Sequence, residues 1–305
     1  MIIRHPRENK EFSDRNELLQ NSLRPETLPF NIASEYPTIL NKENASTSYC
    51  MYNAEDKIIA HASLLIRNVV DKDNNCIDQI GLIGNVATCQ QHRGKGHMST
   101  LLKHLEMKAK EYHLSGLILW SDLGKFYQNL GYESLGMENR VLLRRTVNAL
   151  ERPKIHYVIE MNPRLQAKDL AALLDMRLKT GFTLDRSIDT FKDLLTIPYC
   201  DIFTIKQKHE IKAFFILGKG YDMMGVIHEW GRTSDRALNY LLDAILKELH
   251  GDDILMLSPE ILNLDLDNVL MVEQNKHQMA WIRYIADEKK ALYNNSFFIW
   301  GLDSI

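Results

Sequence analysis

One stretch of the 305-residue chain has the residue types and spacing for chemistry: Gln91-His92-Arg93-Gly94-Lys95-Gly96. It stands between an apolar run ending at Thr88 and a helical pattern beginning near Gly96. Two glycines in a strand-to-helix turn let the backbone come close to a bound group. The helix start leaves N–H groups without intrahelical partners, and the helix dipole adds partial positive charge there. Arg93 and Lys95 supply two full charges. Together these make an anion site suited to a pyrophosphate. The other reading of the same residues is a sharp turn whose glycines serve geometry alone.

Two pyrophosphate ligands compete. Gly94-Lys95-Gly96 begins a G-x-G-x-x-G dinucleotide fingerprint, with Ser99 in the third glycine's place and Asp122 available as the ribose-binding acid. That fingerprint normally follows the first strand of a parallel sheet, whereas here a long antiparallel meander precedes it. The Walker pattern G-x-x-x-x-G-K-[ST] does not fit. Metal chemistry finds no support. His209-Glu210 and His228-Glu229 each start like H-E-x-x-H but lack the second His. Cys50, Cys76, Cys89 and Cys200 have no C-x-x-C spacing and read as reduced thiols.

The elements around the loop follow from pattern and turn chemistry. Ser48–Asn53 and Ile58–Val69 form a strand pair about the polar turn Asn53–Lys57. A second turn, Asp71–Asn75, leads to the strand Cys76–Thr88, which completes an antiparallel meander. Residues 11–45 read as one or two short helices. Met98, Leu101, Leu102, Leu105, Ala109 and Tyr112 fall at helical spacing, so Gly96–His113 is an amphipathic helix. Ser115–Trp120 is a buried strand, parallel to the one before the helix. Asp122–Leu130 is a short helix closed by Gly131, and Tyr132–Gly136 and Arg140–Arg145 are two further strand pieces.

A boundary fits the polar, Pro-containing Asn148–Pro153, giving domains at 1–150 and 151–305. The second half repeats the order. Its strand Ile155–Met161 precedes helices near Ala167–Thr180 and Ser187–Leu195. A hairpin (Asp201–Lys206, Ile211–Leu217), a strand Met224–Glu229, a helix capped by Ser234 and a strand Asp253–Leu257 follow. An old duplication explains the order, though the identities do not repeat.

At this point the sequence resembles the GNAT superfamily of N-acetyltransferases. Gln91-x-x-Gly94-x-Gly96 matches its acetyl-CoA signature, Gln/Arg-x-x-Gly-x-Gly/Ala. Val86-Ala87-Thr88 before it and Leu101-Leu102 after it look similar too. Phe126-Tyr127-x-x-Leu130-Gly131-Tyr132-Glu133 resembles the family's second landmark, near the CoA thiol. The likeness covers about residues 1–150; the rest agrees in element order alone, which suggests a tandem protein with a degenerate second copy. The implied fold is α/β (α+β): two GNAT-like domains, each a mixed, mainly antiparallel sheet flanked by helices.

The resemblance also implies roles. N–H groups from Arg93 through Gly94, Lys95, Gly96, His97 and Met98 to Ser99 would cradle the CoA pyrophosphate. Asn85, Val86, Ala87 and Thr88 would pair with the pantetheine arm, and an N–H near Val86 would polarise the thioester carbonyl. Tyr127 would protonate the leaving thiolate; read without the resemblance, it is a core aromatic beside Phe126. Acetyl-CoA is then a co-substrate, no metal is needed, and the acceptor is a small-molecule or peptide amine. The family often has Asn where this chain has Trp120; Ser121 or Asp122 takes over its contact, or the contact is lost. Asp78, Glu35, Asp122 or a water chain are the candidate bases, with none preferred. The helices of residues 11–45 usually shape the acceptor pocket in this family.

In the second half the position equivalent to the loop is Trp230-Gly231-Arg232-Thr233-Ser234, with one glycine and no signature. One CoA per chain is therefore expected. Composition bounds the rest. Lys plus Arg number 37 and Asp plus Glu 40, for a net charge of −3, so nothing global draws the chain to nucleic acid or an anionic membrane. No apolar run reaches a membrane span and the start lacks a signal-peptide core, so the expected location is cytoplasmic. Two other functions share the same glycines: a nicotinamide-dependent oxidoreductase, and a non-catalytic acyl-CoA-binding module. The oligomeric state is not encoded in any pattern found.

Overall fold

Polar turns fold the first third of the chain back on itself twice. In the computed structural model, which describes residues 1–146, 157–177, 181–249, 253–259, 268–293 and 297–305, Asn53 and Asp71 each bond across a tight turn to Lys57 and Asn75. Asp56 and Asn74 take positive φ there, as short polar side chains tolerate. The strands so joined are β2 (Ser48–Tyr52), β3 (Ile58–Val70) and β4 (Cys76–Thr88). The short β1 (Ile2–Arg4) pairs with β2. Helix α1 (Asn9–Leu23) starts with a reciprocal Glu8/Glu11 capping box and buries Phe12, Arg15 and Leu19 along one face. A single turn, α2 (Ile32–Glu35), follows.

After β4, α3 (His97–Glu111) buries Leu101, Leu102, Leu105 and Ala109, and β5 (Gly116–Leu119) returns parallel to β4. Then come α4 (Gly124–Gln128) and β6 (Glu133–Arg145). Beyond these lie β7 (Val158–Met161), α5 (Ala167–Met176), β8 (Thr183–Leu184), α6 (Ile188–Leu194), β9 (Asp201–Gln207), β10 (Glu210–Leu217), β11 (Val226–Arg232), α7 (Asp235–Glu248), β12 (Ile254–Ser258) and β13 (Val269–Tyr284). The strands make one mixed, mainly antiparallel sheet in the order β1-β2-β3-β4-β5-β13-β6-β12-β11-β10-β9-β7, with β8 against β3. Parallel pairs occur at β4–β5 and β11–β12, the two strand-helix-strand units.

The centre of this sheet is an exchange. β6, from the first half of the chain, pairs with β12 of the second. β13, from the second half, lies between β5 and β6 of the first. The largest core cluster accordingly draws on both halves, from Val69 and Ile118 to Trp230 and Trp300.

Several boundaries differ from the sequence reading. Tyr132–Gly136 and Arg140–Arg145 are not two pieces: β6 is continuous, because β13 pairs with it in one register on both sides of Gly136, which takes a φ of 58°. The strand expected at Met224–Glu229 is β11, running on to Arg232, so Trp230 and Arg232 lie in the sheet and the turn shortens to Thr233–Ser234. The repeated order asks for a closing strand pair in the second half as well, but no residues were assigned to β13 from sequence. The boundary at Asn148–Pro153 lies outside the described residues, as do the first two residues of Ile155–Met161 and the last three of Ala167–Thr180.

Candidate functional site

The site begins with a misfit in pairing. On β3, His61 faces Ala87 and Ser63 faces Gly84, so Asn85 and Val86 of β4 stand opposite Ala62 alone. This is a β-bulge, with Asn85 at φ 50° carrying the extra residue. Buried side chains hold it. Ser63 Oγ donates to Asn85 Oδ1 at 3.0 Å, and His61 Nδ1 lies 2.8 Å from Asn85 O. A carbonyl only accepts, so Nδ1 carries the proton. Burial pushes the His61 pKa down to about 3, which keeps the ring neutral. The buried Asn85 Nδ2 has no protein partner.

The bulge bends β4 away from β5. The two strands share only the pairs Gly81–Leu117 and Leu82–Ile118. A cavity of about 770 Å³ fills the opening beyond. Ile83 to Thr88 form one wall, Arg93, Gly94 and Met98 one end, and Leu119 to Ser121 with Phe126 and Tyr127 the other wall. The apolar, partly polar lining is typical of small-molecule sites.

At the loop, Gly94 and Gly96 have φ of 74° and 77°, and nothing lies within 4 Å of where a Cβ would point from either. The left-handed turn needs glycine, and the space above it is open. Gly96 is the N-cap of α3 and brings no side-chain cap. The first N–H groups of α3 therefore remain available. The two cations are fastened to their own loop: Arg93 Nε donates to Thr88 O at 3.1 Å and Lys95 Nζ to Gln91 O at 3.1 Å. By contrast, Ser234 Oγ caps the equivalent α7 by accepting from Ala237 N.

Tyr127 is buried against Phe126 and Tyr132, with ring centroids at 5.0 and 5.5 Å. Its burial raises the phenol pKa, while a hydrogen bond with Ser121 pulls the other way. Of the residues singled out from sequence, Asn85, Val86, Ala87, Thr88, Arg93, Gly94, Met98 and Tyr127 meet on the cavity. Lys95, Gly96, His97 and Ser99 do not line it; they form the rest of the loop and the first turn of α3.

The candidate bases separate. Asp78 lies off the cavity, bonded to Ser115 Oγ at 2.6 Å and Tyr293 Oη at 2.7 Å. Asp122 is exposed and is not on the wall either. Glu35 is on the wall, but both its oxygens are engaged, by Arg24 Nε at 2.5 Å and Tyr221 N at 2.6 Å. The rest of the lining bears out the expectation that residues 11–45 shape the pocket, through Arg24, Glu35 and Tyr36, and adds side chains that sequence reasoning did not name: Lys219, Asp222, Met223, Ser304 and Ile305. Asp222 Oδ2 accepts from Arg24 Nη2 at 2.8 Å and Tyr36 Oη at 2.9 Å. Lys219 Nζ donates to Gly301 O at 2.7 Å, Leu302 O at 3.3 Å and to Ser304, holding the 301–305 segment against the wall. A Cβ on Gly84 would lie 2.6 Å from the Ile305 main chain, so β4 and this segment are in close contact. The one advance signal was the glycine spacing Gly218, Gly220, Gly225. All three take positive φ in the β10–β11 loop, and Gly220 has Glu35 where a Cβ would stand.

Among the described residues no group of three or more His, Cys, Asp and Glu is placed to hold a metal, and no helix is long and apolar enough to cross a membrane.

Residues 3–135 match the family model of an acetyltransferase (GNAT) domain. No curated protein matches the sequence. Solved structures share the fold over nearly the whole chain. A protein from Enterococcus faecalis V583, titled a probable N-acyltransferase of unknown function, superposes with TM-score 0.69 at 14% identity, covering 93% of this chain and 72% of that one. Eis1 from Mycobacterium abscessus gives TM-score 0.63 at 13% identity, covering 96% and 76%. The N-myristoyltransferase of Saccharomyces cerevisiae, solved with bound myristoyl-CoA, gives 0.57 at 11%, covering 93% and 82%. At these identities the likeness is one of fold.

Proposed function

We propose that this chain, whose residues 3–135 carry a GNAT acetyltransferase domain, transfers an acetyl group from acetyl-CoA to a primary amine. The observation that carries the reading is the bulged, splayed β4 opening onto an uncapped α3 through a Gly94/Gly96 turn, with Tyr127 on the facing wall. Phosphates fit the open side of the turn, where the N–H groups of residues 94–99 and the Arg93 and Lys95 cations neutralise them; the Arg93 N–H, expected among the donors, is instead given to Gln90 O at 3.3 Å. The pantetheine arm pairs with the free edge of Asn85 to Thr88. A main-chain N–H near Val86 polarises the thioester carbonyl.

The amine nitrogen attacks the thioester carbon to give a tetrahedral oxyanion. Its collapse breaks the C–S bond, the electron pair leaves with sulfur, and Tyr127 donates the proton that makes free CoA. The proton lost by the amine passes to water or to a wall carboxylate. The acceptor enters from the side walled by Arg24, Tyr36, Asp222 and Met223. The second half of the chain, 151–305, is a degenerate copy that binds no CoA: Ser234 already fills the helix start that a phosphate would need.

The test is calorimetric titration with acetyl-CoA, followed by release of free CoA with a panel of primary amines. One acetyl-CoA per chain is expected. Gly96→Val, which forces a β-branched residue into φ 77° and fills the open side of the turn, is expected to weaken binding at least about tenfold, since a lost anion contact or two is worth that much. Unchanged affinity in a folded Gly96→Val protein removes this loop as the site. A stoichiometry of two overturns the degenerate second copy. Stabilisation by NAD in place of acetyl-CoA turns the reading toward an oxidoreductase, and binding without turnover toward an acyl-CoA-binding module.

A further inference from the structure

The short helix that bears Tyr127 has only five residues, too few to hold its own position in water. What holds it comes from the other end of the chain. Trp281 and Arg283 lie two residues apart on β13, opposite Leu119 and Leu117 of β5, and so project to the same face. Trp281 Nε1 donates to Ser121 O at 3.0 Å, across 160 residues of sequence. Its ring also fills the space at Gly124, where a Cβ would lie 2.6 Å from Trp281 Cζ2. Arg283 Nη1 donates to Gly131 O at 3.3 Å and occupies the space where a Gly131 Cβ would stand, 2.7 Å away. Thus one residue of β13 seats the turn before α4 and its neighbour seats the turn after it.

Between those clamps a chain of local bonds leads to Tyr127. Leu123 N donates to Ser121 Oγ at 3.1 Å, Phe126 N and Tyr127 N donate to Leu123 O, and Leu130 N and Tyr132 N donate to Tyr127 O. Ser121 itself is on the cavity wall. Trp281 and Arg283 are not.

We infer that Trp281 and Arg283 of the exchanged strand β13 are positioning residues for Tyr127, fixing its hydroxyl at the cavity by clamping both ends of the α4 segment. The inference rests on the acid role proposed for Tyr127. It gives the second half of the chain a part in catalysis that needs no ligand of its own. Acid transfer is sensitive to such seating: a displacement of about 1 Å can cost 10²-fold.

A double-mutant cycle tests it, with acetyl-CoA as donor and whichever primary amine of the panel the wild type turns over. Trp281→Phe keeps an aromatic ring against Gly124 and removes the donor to Ser121. It is expected to lower kcat roughly 10- to 100-fold and to leave the calorimetric acetyl-CoA affinity unchanged. In a Tyr127→Phe background the same change is expected to lower kcat no further, because the group it positions is gone. Arg283→Gln, at a partly exposed side chain, runs the same cycle should Trp281→Phe fail to fold; a smaller loss with the same collapse is expected. Losses that multiply with Tyr127→Phe, or wild-type kcat in a folded Trp281→Phe or Arg283→Gln protein, overturn the inference. Wild-type kcat in Tyr127→Phe alone overturns the acid role first, and the positioning role with it. A chain that turns over no amine fails both.

Discussion

Tyr127→Phe is expected to lower kcat by roughly 10²–10⁴-fold, the range for a lost general acid, while acetyl-CoA affinity stays at its wild-type value. The ring is held by contacts that phenylalanine keeps, against Phe126 and Tyr132. Only the hydroxyl is lost, and its work is chemical. A free thiol has a pKa of about 8.5 and a phenol about 10, so at neutral pH the phenol is protonated and the departing thiolate is within range to take its proton. Burial holds the phenol protonated more firmly still, and the Ser121 hydrogen bond partly offsets this by favouring the phenolate that forms as the proton leaves. The measurement is CoA release under saturating acetyl-CoA, with calorimetry on the same variant. Near wild-type turnover would make Tyr127 a packing residue. Lost affinity with retained turnover would place the hydroxyl on the CoA arm instead.

How far sequence alone reached can be judged residue by residue. The strand-helix-strand unit around Gln91–Gly96 was legible because each of its signals is local. Turn residues lie at Asn53–Lys57 and Asp71–Asn75, α3 has a helical apolar period, and β5 is a short apolar run. The same locality made Asn85 to Thr88, the loop and Tyr127 identifiable, and eight of those residues meet on one cavity. Of the rest of the lining, the 11–45 segment and Glu35 were expected but the other individual side chains were not legible. Arg24 follows α1 and Tyr36 follows α2, Lys219 and Asp222 lie in the β10–β11 loop and Ile305 follows more than 80 residues later, and no spacing rule joins residues so far apart in the chain. β13 shows why. Its middle, Glu273-Gln-Asn-Lys-His277, is polar throughout, so no apolar alternation marks it. Pairing with β6 on one side and β5 on the other makes it a strand nonetheless, an instance of tertiary context deciding β-structure. β6 was divided for the same reason: Gly136 reads as a break until its partner is known.

The last five residues bring in a large expected stability effect. Asp303 is buried beneath the cavity wall, surrounded by three guanidiniums. Arg186 gives it bonds of 2.7 and 3.1 Å, Arg67 lies at 3.0 Å and Arg177 at 3.4 Å. Arg186 simultaneously holds Glu229 with two bonds, at 2.6 and 2.8 Å. Burial alone pushes the Asp303 carboxyl up, but Arg186, Arg67 and Arg177 reverse this and hold it well below the usual carboxylate range. Its contribution is therefore present above the unfolded pKa and is lost as pH falls through the acid range. Asp303→Asn keeps the shape and removes the charge, leaving Glu229 alone among the three cations. Breaking one partner out of a buried ion cluster costs about 3–5 kcal/mol, which for a chain of this size is a fall in melting temperature on the order of 10 °C. Asp189→Asn, which breaks the exposed Lys192 pair, is expected to change the melting temperature little, as surface pairs do. Because Asp303 and Lys219 together fix the segment that ends on the cavity wall, Asp303→Asn is also expected to raise the KM for the amine at temperatures where the variant remains folded. A melting temperature close to wild type would mean that the three arginines find water or each other, and that Lys219 and the packing of Trp300 against Trp230 suffice to seat the segment.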